Sequence, residues 1–217
     1  MRNMFSYDSK LTHVLSYVAD ILILNILFVI CCLPIFTIGA AQAGLYTATR
    51  QMINPEDDRS CIKAFFRGFA SGFGQITLMG TFFLLLDLIL VFTLDSAITD
   101  PNVRIHWLFP TILLVICLMV HSLLPLFHSR FGCRPSQLIR NCLLLMISHP
   151  LRSIAVLLLT WAPAAAALLN PPFFLRMGAL LVMVYYGVAF LFGAFLMEKP
   201  FKLLIDDMDF DDDKDED

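Results

Sequence analysis

The chain has 217 residues, 59% of them hydrophobic and 15% charged, with a mean hydropathy of +0.77. A soluble domain carries about 45–50% apolar and about 25% charged residues, so composition excludes an ordinary water-borne globule and points to a membrane protein. The formal net charge of −3 hides a division: nine of the eighteen acids lie between Asp206 and Asp217, and the rest of the chain is basic.

A crossing helix needs about 20 mostly apolar residues. The first apolar run begins near Val14 and continues to Ile38 with Pro34 inside it. Proline removes a helix bond and clashes with the preceding turn, so a first crossing is expected over residues 14–33, with 34–39 as a bend at the membrane face. Arg2 and Lys10 ahead of this run, and Ala41-Gln42-Ala43 after it, outline a cleavable signal. Asp8 and Asp20 within the charged region favour a retained span instead. A rival reading returns residues 35–53 through the bilayer as the second arm of a hairpin. That arm carries Thr37, Gly39, Gln42, Gly44, Thr47, Thr49 and Arg50, which is poor lipid-facing chemistry, so the bend is preferred.

Further along, Ser60 is placed to cap a helix in which Ile62, Phe65, Phe66, Phe69 and Phe73 recur at helical spacing, with Lys63 and Arg67 off that stripe. This reads as a basic amphipathic helix on the inner leaflet, turning into a second crossing over residues 73–94. A third crossing follows over 107–127. In the next loop Pro135 suits a first helical turn, Leu138, Ile139 and Cys142 make an apolar side, and His149-Pro150 ends that helix. Crossings four and five, over 153–169 and 177–197, form a hairpin about Asn170-Pro171-Pro172. The expected fold is all-α: a polytopic transmembrane helical bundle of about five crossings with amphipathic interfacial helices, built from residues 1–205. Residues 206–217 are expected to be an acidic disordered tail. The tail has the alternating acids of a calcium loop but lacks its turn glycine and final glutamate, so no metal is expected there.

Basic residues set orientation. With five crossings and the N-terminus outside, eleven Lys and Arg fall in the cytoplasm and four outside; the six-segment rival gives thirteen and two. Both put the C-terminus in the cytoplasm of a bacterial plasma (inner) membrane. The six cysteines show no C-x-x-C pair and no zinc spacing, and read as small apolar residues.

Polar groups within the spans are the candidates for function. Asp87 sits inside an apolar stretch, where an ionisable group is costly, at up to about 3 kcal/mol at the centre of a span. It reads either as a helix-packing hydrogen bond or as a proton or cation relay or hydroxyl acceptor. His121 lies in the third crossing; counting along opposed helices places it several ångströms deeper than Asp87, so no direct pair is expected. Asn25 and Gln75 read as polar glue between helices. Gly68-x-x-x-Gly72 and Ala189-x-x-x-Gly193 are small-residue steps, read as packing within the bundle. At the helix break, Pro34 stops the helix, Thr37 is placed to satisfy a freed backbone group, and Gly39 is expected to permit the turn. No phosphate-cradling, dinucleotide, zinc-protease or serine-nucleophile motif occurs, and the basic loop lacks the aromatic interleaving of a nucleic-acid surface. Catalytic residues and cofactors are therefore expected to be none.

The series Asp20, Asn25, Leu33-Pro34, Thr37, Gly39 and Leu45-Tyr46, followed by Phe65-Phe66-Arg67-Gly68-Phe69, resembles the YesL-like family of small bacterial multi-pass membrane proteins. The likeness is strongest over roughly residues 1–75. It implies a plasma-membrane protein of unassigned biochemistry, often encoded beside carbohydrate uptake systems. The expectation is an accessory membrane protein, not an enzyme, with the lipid bilayer and a membrane or cytoplasmic component of a sugar transport system as partners. The alternative is a small transporter or permease subunit using Asp87 and the broken first helix.

Overall fold

The computed structural model describes residues 10–53, 60–99, 107–132 and 134–212. Cys133, Glu56-Asp57-Asp58 and the residues beyond Asp212 lie outside the described residues. Among the described residues, eight α-helices follow in order: α1 (Lys10–Cys31), α2 (Ile38–Ile53), α3 (Cys61–Gly72), α4 (Gln75–Thr99), α5 (Leu108–His128), α6 (Pro135–Ser148), α7 (Pro150–Leu169) and α8 (Pro171–Asp212). A 3-10 turn, Ile35–Thr37, joins α1 to α2.

Among the described residues, three helices are long and apolar enough to cross a membrane: Gln75–Ala97, Leu108–His128 and Pro150–Ala167. Shorter apolar helical stretches run over Leu15–Cys31 and Val184–Glu198. Large apolar side chains cover the outside of the bundle as well as its core, and several polar ones lie within. Leu78, Phe82, Phe92, Phe109 and Leu158 point outward, while Asn25, Gln42, Thr49, Asp87, His121 and Thr160 are buried. Only a surrounding hydrocarbon phase makes such a surface stable, because apolar side chains gain nothing from leaving lipid whereas polar groups must find partners inside.

The break falls at Pro34, but the segment after it is not a bend at the membrane face. The chain doubles back: Tyr17, near the start of α1, shares a groove with Met52 and Ile53 at the end of α2. The small polar residues that made this arm a poor lipid-facing helix are covered by protein; Gly39, Gln42, Gly44 and Thr49 are all buried. The hairpin rejected on lipid-facing chemistry therefore forms, because α2 faces helices and not lipid. At 16 residues α2 is about 24 Å long, short of the hydrocarbon thickness of about 30 Å.

Helix α3 packs antiparallel to α2 through small residues. A Cβ on Gly68 would overlap the Thr47 side chain and sit 3.0 Å from the Ala43 carbonyl oxygen, and one on Gly72 would lie 3.2 Å from the Ala43 Cβ. The Gly68-x-x-x-Gly72 step is thus packing within the bundle, as is Gly193 against Tyr46. The expected amphipathic stripe splits: Phe65 is fully buried and Phe69 partly so, whereas Ile62 and Phe66 face outward beside exposed Lys63 and Arg67. Ser60 occupies the N-cap position but its side chain makes no capping bond.

Helix α6 starts at Pro135 and buries Leu138, Cys142 and Leu145. The turn at Asn170 then reverses α7 into α8. Proline within α7 leaves a defect that the fold repairs. Pro163 has no N–H for the Leu159 carbonyl, and the Tyr185 hydroxyl donates to that oxygen instead at 2.9 Å. Helix α8 continues through Pro200 to Asp212, so the acidic residues 206–212 are helical where a disordered tail was expected. Near this end Glu198 pairs with Arg130, whose guanidinium also lies over the Phe201 ring at 5.0 Å.

Candidate functional site

The site is built where α4, α5 and α7 meet. Asp87 of α4 is 4% exposed and His121 of α5 is 5% exposed. Contrary to expectation they pair directly, with Asp87 Oδ2 and His121 Nδ1 2.8 Å apart. The error lay in the helix end. The apolar run predicts a second crossing that ends at residue 94, but α4 runs on to Thr99. In the final turns Thr93, Ser96 and Thr99 each donate a hydroxyl to the carbonyl four residues back. These bonds give the hydroxyls partners within their own helix. Asp87 then lies twelve residues before the end of α4, and His121 lies thirteen after the start of α5. Across a helical hairpin those positions are level.

Around the pair, the Phe83 ring lies 6.4 Å from the His121 ring and the Trp161 indole meets it edge-on at 5.5 Å. Trp161 Nε1 donates to Ser122 Oγ at 3.0 Å, and Ser122 Oγ donates to the Leu118 carbonyl at 2.7 Å. Pro125 stands four residues beyond His121 in α5, so the His121 carbonyl lacks its usual helical donor. Asp87 Oδ1 is buried without a protein partner. A carboxylate in an apolar interior with one oxygen satisfied and one open is a strong local acceptor, able to hold a proton, a cation or a donor hydroxyl. Ser122, Trp161 and the Pro125 gap were not singled out from sequence; a proline four residues beyond a mid-helix histidine is the clue that was available.

The other predicted residues do different work. Asn25, 0% exposed, accepts the Gly187 N–H at 3.0 Å and ties α1 to α8, leaving its own Nδ2 without a partner. The Thr37 hydroxyl lies 2.6 Å from the Cys31 carbonyl oxygen and 2.7 Å from that of Pro34, covering backbone acceptors at the break. Gly39 is helical and not the pivot of a turn. Its lack of a side chain lets α2 approach α4, since a Cβ would sit 2.9 Å from the Ile76 carbonyl oxygen. None of these residues joins Asp87 and His121, so the helix break and the intramembrane pair are separate features.

The described cysteines are free thiols. Outside the spans, burial pushes up the Cys61 thiol, with the Asp20 charge adding to the effect, and burial does the same to Cys142. Raised thiols are poor nucleophiles and poor metal ligands, in keeping with a packing role.

No curated protein and no solved structure matches the chain. Residues 21–94, from the middle of α1 to beyond Asp87, match the family model described as "Protein of unknown function, DUF624".

Proposed function

We propose that the protein is a non-catalytic accessory protein of the bacterial plasma membrane, of YesL-like type, that serves a carbohydrate uptake or utilisation system. In this reading α1, α4, α5, α7 and α8 cross the bilayer, α2 is enclosed among them, and the C-terminus is cytoplasmic. The observation that carries it is the exposed face of two short helices. Helix α3 presents Lys63 and Arg67 beside exposed Ile62 and Phe66, and α6 presents Arg140 beside exposed Leu143, Leu144 and Ile147, with exposed Arg134 at its N-cap. Basic side chains flanked by apolar ones suit the cytoplasmic leaflet and a membrane partner standing in it. The carbohydrate system is taken from the family resemblance of the Leu33–Pro34 and Phe65–Phe69 motifs.

Crosslinking in native membranes followed by mass spectrometry of the tagged protein tests this. A sugar-permease component linked to α3 or α6 is expected; dense crosslinking that yields lipid and self-links alone contradicts it. A second reading, a small transporter in its own right, is favoured by the buried Asp87–His121 pair. It predicts solute flux by the pure protein in liposomes that Asp87→Asn abolishes.

A further inference from the structure

We propose that the Asp87–His121 pair is a binding site for one proton, reached along α5 from the end of the bundle at which His128 lies. This deepens the second reading by naming the ligand class of its site, yet the site itself does not depend on flux. Among the described residues, five buried side-chain polar atoms lack a protein partner, and three of them belong to α4 and α5: Thr77 Oγ1, Asp87 Oδ1 and His128 Nδ1. Orphaned polar atoms are rare in folded proteins and call for exchangeable hydrogen-bond partners. His121, Pro125 and His128 fall at i, i+4 and i+7, one face of α5, spanning about 10 Å along the axis. Between the two histidines on that face stands the carbonyl gap made by Pro125. The His128 ring packs against the end of α3 at Ser71 and Gly72 and is half-buried, at the margin of the apolar span.

The charge arithmetic favours a proton over a larger ligand. With a proton aboard, carboxylate and imidazolium sum to zero; when it leaves to water, a net negative charge remains in an apolar seam closed by Phe83 and Trp161. A neutral pair is the cheaper state in low dielectric, and the departing proton needs only hydrogen-bonded steps. Of the other titratable groups on the packed helices, Cys117 is buried one turn before His121 on α5. Tyr46 of α2 is turned to Phe190, Arg50 sits in the last turn of α2, Arg140 is exposed on α6, and Arg152 lies nine residues before Trp161. None of these supplies a standing countercharge at the pair.

The test uses the full chain in lipid nanodiscs. Trp161 is one of two tryptophans, so Trp107→Phe leaves a single indole against the His121 ring. Protonated imidazole quenches a contacting indole, and the emission is expected to show one single-proton transition with pH. His121→Gln is expected to remove that transition, and Asp87→Asn to displace it. In a pH jump, His128→Gln is expected to leave the midpoint alone and slow the approach to it several-fold. Circular dichroism and monodispersity establish that each variant is folded, and Asp87→Asn, nearly isosteric, decides the matter if His121→Gln is not. Emission independent of pH, or a transition unchanged in either pair variant, overturns the site; an unchanged rate in His128→Gln overturns the route. Titration without any flux in liposomes leaves the proton site standing and removes only the transporter reading.

Discussion

Two regions of this bundle bury polar groups, and they do so in opposite ways. Between α2 and α3 the polar atoms are backbone carbonyls and threonine hydroxyls. Thr47 and Thr49 bond to carbonyls three or four residues back, and glycines let the two helices close upon one another. Between α4, α5 and α7 the polar groups are ionisable, the bond between Asp87 and His121 crosses from helix to helix, and one carboxylate oxygen is left open. Satisfied, uncharged groups cost little inside a membrane protein and serve packing; an open ionisable group is expensive and persists where it does something. The contrast separates structural polarity from functional polarity more sharply than burial does, since both regions are equally buried.

Substitutions that break this contrast should scale with it. The largest effect is expected from Asp87→Leu, which strands His121 without its partner and should cost about 3 kcal/mol in detergent unfolding. A neutral or stabilising outcome would mean that position 87 faces lipid. Gly68→Val strikes the other region by driving a branched side chain into Thr47 and the Ala43 carbonyl, and about 2 kcal/mol of overpacking is expected in the same assay. Asn25→Ala and Tyr185→Phe each remove one hydrogen bond between helices, to Gly187 and Leu159 respectively, and should cost about 1 kcal/mol apiece. Smallest of all, Lys63→Gln with Arg67→Gln should alter unfolding by less than about 0.5 kcal/mol, because both side chains are exposed. The same double variant should bind anionic vesicles more weakly, which separates a surface role from a packing role.

Much of the architecture was legible because lipid imposes long apolar runs. The helices now seen as α4, α5 and α7, the helical α6 beginning at Pro135, and the turn at Asn170 all follow from hydropathy, proline and capping chemistry. What was missed has one physical origin: sequence patterns report what a residue avoids, not what covers it. The threonines and glycines of residues 35–53 avoid lipid, and the structure covers them with other helices. Asp87 and His121 were each visible as anomalies, but their meeting depended on α4 running five residues beyond position 94, to Thr99. Phe65 and Phe66 are adjacent and chemically identical, yet one is core and the other surface, because only the α2 contact chooses between them.

Asp87 and His121 hold one another inside a lipid-solvated bundle. A double-mutant cycle of Asp87→Asn and His121→Gln, followed by reversible unfolding in detergent, measures that contact directly. A coupling energy of about 0.5–3 kcal/mol is predicted for residues in such contact. Losses that add to within about 0.3 kcal/mol would mean that the two side chains do not meet.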